Sequence, residues 1–159
     1  MIFVTVGTHA DPFQRLLDAL AVLDGSELVV QHGNGTPPPG IDQAEAFMPF
    51  DRMLECFRAA EKVITHAGVG SILCASREGH VPLVVPRRPE LGEHVDGHQA
   101  ELTRALGARG SVIPVWDTEE LPALLAAVPA RGAARARAGT ELGGEVGEAL
   151  RGAQAPSRA

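Results

Sequence analysis

At 159 residues, with 45% hydrophobic and 21% charged side chains, the chain has the make-up of one globular domain able to bury a core. Its net charge of −6 argues against a nonspecific nucleic-acid binder, which must neutralise many phosphates, but leaves room for a small anion held locally. No apolar run approaches the about 18 residues of a membrane span, and Met1–Ile2–Phe3 enters a strand without a basic signal region, so a cytoplasmic protein is expected.

Ile2–Val6 reads as strand one, apolar enough to be covered on both faces. Asp11 is expected to cap the next helix, with Pro12 in its first turn, Gln14 at the capping-box position, and Phe13, Leu16, Leu17 and Leu20 on one face. Leu28–Gln31 is strand two, and His32–Gly40 a Gly/Pro-rich loop. A short strand near Glu45–Phe47 precedes a helix capped by Asp51 that turns Met53, Leu54 and Phe57 inward. Lys62–Thr65 is strand four, Ser71–Glu78 its helix, and Pro82–Val85 strand five. A polar loop, Pro86–Gly97, leads to a helix over His98–Leu106 and to strand six at Ser111–Pro114. Asp117 and Glu120 form a capping box ahead of Leu121, Leu124, Leu125 and Val128. Residues 1–150 are read as one domain and 151–159 as a disordered tail. Cys56 and Cys74 lack CxxC or Cys/His spacing, which favours reduced, buried thiols over zinc or a disulfide.

Strands alternating with helices imply an α/β fold with a six-stranded, mostly parallel sheet, in the Rossmann-like order 3-2-1-4-5-6. Strands one and four are then neighbours at the topological switch point, where ligands bind beyond the C-terminal strand ends. The loops leaving that point are Gly7–His9 and His66–Ser71. In the second, Val63–Thr65 runs into Gly68 and Gly70 and then a helix, a unit that aims backbone N–H groups and a helix dipole at one spot. Glycines there let a phosphate approach the main chain; the plainer alternative is a tight βα turn. Gly68–Val69–Gly70 begins a GxGxxG pattern, but Leu73 breaks it and it follows strand four rather than strand one. A nucleoside diphosphate fits better than a dinucleotide.

Three segments in order, Phe3–Val4–Thr5–Val6–Gly7–Thr8, Thr65–His66–Ala67–Gly68–Val69–Gly70–Ser71–Ile72 and Gly92–Glu93–His94–Val95–Asp96–Gly97–His98–Gln99, resemble the glycosyltransferase family 28 C-terminal domain over roughly residues 1–128. That family is similar in turn to the small catalytic subunits of two-part bacterial exopolysaccharide enzymes and of the eukaryotic dolichol-linked UDP-GlcNAc transferase. The resemblance implies a domain equivalent to the C-terminal, donor-binding half of a two-domain GT-B enzyme. It implies an inverting, metal-independent hexosyltransferase that uses a UDP-sugar and no cofactor. It also implies a second, membrane-associated subunit that brings a lipid-linked acceptor, so the chain would lie at the inner face of the membrane through its partner. Homo-oligomerisation is left open. The alternative is a noncatalytic nucleotide-sugar-binding or scaffold subunit.

Carried over by position, the resemblance puts the diphosphate at His66, Gly68, Gly70 and Ser71, the donor sugar at His98 and Gln99, and the base near Phe47, Met48 and Phe50. Cys74 stands where relatives usually carry an acidic residue for the ribose, and a thiol is a poor acceptor for two hydroxyls. From the residues themselves, His9, Glu93 and His94 are the general-base candidates, each with a structural alternative. Asp96 belongs to the same acidic/imidazole cluster. Ser71 can serve as phosphate ligand, as helix N-cap, or as both. Gln99 offers an amide N–H and C=O to adjacent hydroxyls. Arg87 and Arg88 can meet phosphates or a membrane surface, a solvated pair being the plainer reading, and Arg131–Arg137 is read as a polar helix face.

Overall fold

The computed structural model describes residues 1–128 and Arg131. Among these, six strands form one sheet: β1 (Ile2–Thr5), β2 (Leu28–Gln31), β3 (Gln43–Glu45), β4 (Lys62–His66), β5 (Leu83–Val85) and β6 (Ile113–Pro114). Their order is β3-β2-β1-β4-β5-β6 and every pairing is parallel, as the alternation of elements requires. The helices are α1 (Gln14–Ala19), α2 (Phe50–Ala59), α3 (Val69–Arg77), α4 (His98–Ala108) and α5 (Leu121–Ala127).

The period-2 geometry of strands sorts the apolar residues into two layers. Val4, Val30, Ile64, Leu83 and Val85 face α1 and α5, meeting Phe13, Leu16, Leu17, Leu20, Leu121 and Leu125. Phe3, Val29 and Val63 face the other side, against Cys56 and Phe57 of α2 and Ala75 of α3, while Val84 meets Ile72, Leu102 and Leu106. Burial of each large side chain contributes about 1.5–3 kcal/mol, which is what holds a helix as short as α1 in place. The first crossover therefore lies on one face and the α3 crossover on the other. β1 and β4 part at the centre of the sheet.

Local boundaries differ from the sequence reading where tertiary partners compete. Asp11 does not cap α1: that helix starts at Gln14 after an uncapped Phe13, and the Gln14 amide instead accepts from Thr36 N–H and donates to Thr36 O and Asp18. α2 begins one residue before Asp51, behind Pro49. β3 lies two residues earlier than expected and β6 is confined to Ile113–Pro114. Asp117 does cap, accepting from Glu119 N–H at 2.9 Å ahead of α5. Cys56 is buried and Cys74 half-buried, both as free thiols. The expected tail at 151–159 and the Arg-rich face beyond Arg131 lie outside the described residues. Among the described residues no helix is long and apolar enough to cross a membrane.

Candidate functional site

Register brings Thr5, Gln31 and Thr65 side by side at the C-terminal edge of the central strands, all buried. Buried polar groups must be paired, and these are. Gln31 Oε1 accepts from Thr5 Oγ1 at 2.6 Å, and Gln31 Nε2 donates to Gly7 O at 3.0 Å and to Ala46 O at 2.7 Å. Gly7 N–H in turn donates to Thr5 Oγ1 at 3.2 Å. The loop after β1 is thus anchored where the chain turns at Gly7, whose φ of 78° suits glycine.

The loop after β4 splits its two glycines between different jobs. The His66 ring is wedged between Gly7 and Gly68: a Cβ at either residue would strike the imidazole. Gly68 therefore makes room for His66. Around Gly70, which is exposed, nothing lies within 4 Å of where a Cβ would stand. α3 begins at Val69 with Gly68 as its N-cap, so Ser71 sits within the first turn and is not the cap. The first helical bond shown, Ile72 N–H to Gly68 O at 3.0 Å, leaves the N–H groups of Val69, Gly70 and Ser71 without intrahelical partners. An open glycine beside three outward amides at a dipole's positive end is suited to an anion. His66 brings no charge to it. Burial first, then the Arg87 guanidinium, lower its pKa to about 4, against a smaller upward pull from a Thr5 backbone hydrogen bond.

The loop between β5 and α4 is built inside out. Arg87, expected in solvent, is 1% exposed, stacked 4.7 Å over the Phe13 ring. Its Nη1 donates to Asp11 O at 2.9 Å and Glu93 O at 3.1 Å, and its Nη2 to Val6 O at 3.0 Å. Among the described residues it has no salt bridge, and its Nε finds no partner. Glu93 is buried too. Its two carboxylate oxygens receive Arg15 Nε at 2.9 Å, Arg15 Nη2 at 3.0 Å and Arg88 N–H at 2.9 Å. Three donors converging on Glu93 make it a brace for the loop. Arg88 also donates to Trp116 O, so it too belongs to the structure more than to the solvent. The Arg15 partner had no signal in the sequence, since it lies on α1, far away along the chain.

The structure brings His9 and His94 together, ring centroids 4.8 Å apart and planes tilted by 34°. A scan against family models matches residues 1–141 to the glycosyltransferase family 28 C-terminal domain. The chain belongs to that family. It is 34% identical to the UDP-N-acetylglucosamine transferase subunit ALG13 of Mus musculus over 68% of this chain, and 32% identical to that of Homo sapiens over 69%. Either match takes in only 10% of the mouse or human protein's length. The subunit of the same name from Yarrowia lipolytica is 28% identical over 76% of this chain and 67% of its own length.

The other residues singled out in the sequence lie on α3, α4 and the segment around the start of α2. His98 opens α4, largely exposed, with Nδ1 3.4 Å from Glu101 Oε2 and its N–H donating to Asp96 Oδ1 at 3.1 Å. Gln99 Oε1 accepts Arg87 N–H at 3.0 Å, which uses one of its two lone pairs, and the NH2 group has no bonded partner among the described residues. Phe47 and Phe50 are exposed, whereas Met48 packs against the Phe3–Phe57 cluster. Cys74, one turn after Gly70 on α3, borders that cluster, and burial raises its thiol pKa. Among the described residues no three His, Cys, Asp or Glu side chains group as metal ligands.

Proposed function

We propose that this chain is the donor-binding half of an inverting, UDP-sugar-dependent glycosyltransferase of GT-B type. It works with a second, membrane-associated subunit that presents a lipid-linked acceptor. One observation carries the reading: the uncovered Gly70 with the Val69–Ser71 amides, at the point where β1 and β4 part. A pyrophosphate there accepts those N–H groups, and the sugar extends toward the amide of Gln99 and His98. An acceptor hydroxyl attacks the anomeric carbon from the face opposite UDP; the bond from that carbon to the β-phosphate oxygen breaks and negative charge collects on the diphosphate. The amides and the α3 dipole stand ready for that charge without rearranging. The family membership and the relatives' names, which specify a UDP-N-acetylglucosamine transferase subunit, support the donor class.

Calorimetric titration with UDP, UDP-GlcNAc, UDP-Glc, UDP-Gal and UDP-GlcA tests the binding half of this. Co-expression with a candidate partner, followed by UDP release on a lipid-linked acceptor, tests the transfer. No affinity for UDP in the assembled complex would sink the proposal. Gln99→Ala should erase discrimination among the sugars; unchanged discrimination moves the sugar elsewhere. Cys74 favours a second reading, a noncatalytic nucleotide-sugar-binding or scaffold subunit, because it supplies no good ribose acceptor. Clear UDP binding without turnover beside a competent partner would select it.

A further inference from the structure

The segment His-x-Asp occurs twice at the C-terminal edge of the sheet, on the loop after β1 as His9–Ala10–Asp11 and on the loop after β5 as His94–Val95–Asp96. Both fold into the same local turn. Asp11 N–H donates to His9 Nδ1 at 3.2 Å, and Asp96 N–H donates to His94 Nδ1 at 3.4 Å. A nitrogen that accepts a backbone N–H carries no hydrogen of its own, so with these bonds made each neutral ring carries its hydrogen on Nε2; at His94 the Asp96 Oδ1 competes for Nδ1 from the same 3.4 Å. Neither Nε2 has a bonded partner among the described residues. Arg87 Nη1 bonds Asp11 O of one turn and Glu93 O beside the other, which staples together the two turns that carry the neighbouring rings. That buried guanidinium hydrogen-bonds carbonyls and stacks on an aromatic face; the Glu93 and Asp11 charges act on it through space, with no carboxylate bonded to it among the described residues.

The geometry points to His9 and His94 as a paired hydrogen-bond donor for a phosphoryl group, on turns tied to the Arg87 charge, and not as general bases. Two N–H donors on neighbouring rings, on turns that share a buried cation, fit the oxygens of an anion; a base needs the opposite tautomer, with Nδ1–H held by the Asp11 or Asp96 carboxylate. Those carboxylates lie at 3.6 and 3.4 Å from the respective Nδ1 atoms. The choice of a diphosphate as ligand rests on the function proposed above, whereas the donor pair itself rests on the two turns. The diphosphate belongs either to the nucleotide or to a lipid-diphosphate acceptor.

Long-range 1H–15N spectra of histidine-labelled protein read the tautomers directly. Both rings should carry hydrogen on Nε2, and added inorganic pyrophosphate should shift both Nε2–H signals. Finding Nδ1–H at either ring overturns the inference whether or not any variant folds. Next, His9→Asn and His94→Asn, which keep an acceptor near Nδ1 but lose Nε2, should weaken pyrophosphate binding at least fivefold. His9→Gln and His94→Gln, which return an N–H near Nε2, should recover it to within twofold. Titrating UDP and farnesyl diphosphate against the same variants separates the two sources by which one responds. If UDP binds but no anion responds to either histidine, the pair is wrong and the donor-site proposal stands. If UDP fails to bind and pyrophosphate binding still needs both rings, the pair stands and the nucleotide reading falls.

Discussion

Gly70→Ala separates the stability of the fold from its use. Gly70 is exposed, has helical φ, and has open space where a Cβ would stand. Alanine in a helix is favoured over glycine by about 0.5–1 kcal/mol, largely through the unfolded chain, so the variant should melt about 2–6 °C higher than the parent. The new methyl, however, leans toward the helix N-terminus, as every helical Cβ does, and stands over the amides a phosphate would use. Losing one charge-assisted hydrogen bond costs about 1.5–3 kcal/mol, so UDP should bind at least about tenfold more weakly. At UDP 100-fold above the parent Kd the parent gains about 2.7 kcal/mol, while a tenfold weaker variant gains about 1.4 kcal/mol. Thermal melts with and without UDP should therefore reverse in rank: variant higher alone, parent higher or equal with ligand. A stabilised variant with undiminished UDP affinity would refute the placement of the anion on α3. A destabilised one would refute the account of Gly70 itself.

Gly68→Ala, one turn position away in sequence logic but packed on His66, should instead lose about 1–3 kcal/mol by overpacking, measured by denaturant unfolding. His66 is held neutral with a pKa of about 4, below its unfolded value, so the unfolded chain binds the extra proton. Its contribution is fully present above about pH 6.5, is lost as pH falls toward 4, and amounts to about 3 kcal/mol at most. His66→Gln should flatten the stability profile across that window, leaving a residual slope to which His80, also lowered by burial, contributes. Cys74→Glu should tighten UDP binding about fivefold by calorimetry if the ribose lies over α3, and no change would put it elsewhere. Glu93→Gln keeps the shape but leaves Arg15 short of a counter-charge; a loss of about 2–4 kcal/mol is expected on thermal unfolding, and a loss under about 0.5 kcal/mol would mean the pair is effectively solvated.

The strand order was legible because β-branched runs alternate with helical faces, and a parallel sheet with short crossovers admits few arrangements. The faces of α1, α4 and α5 followed from apolar spacing, and Phe13, Leu16, Leu17, Leu102, Leu106 and Leu121 are buried accordingly. Cap positions were less legible. Asp11 had a good capping signature, but the same residue is taken up by the His9 turn, and Gln14 finds Thr36 across a loop. The glycine loop could be found in the chain but not divided. Gly68 and Gly70 look alike until the His66 ring, brought against Gly7 by the β1–β4 pairing, fills the space beside one of them.

Periodicity and composition are local properties, and they alone determined the α/β class, the strand order, the two apolar layers and the position of the loops at the switch point. Tertiary structure decided which charges lie inside. Arg15 meets Glu93 across 78 positions, and Arg87 reaches Val6 across 81. Nothing in a loop rich in arginine and glutamate distinguishes side chains in water from side chains in a buried brace, because the difference lies in what the other strands' loops bring to the same edge. Pairing in space ties Glu93 to Arg15 and leaves Arg87 hydrogen-bonded to carbonyls, and so sets the electrostatics of that edge.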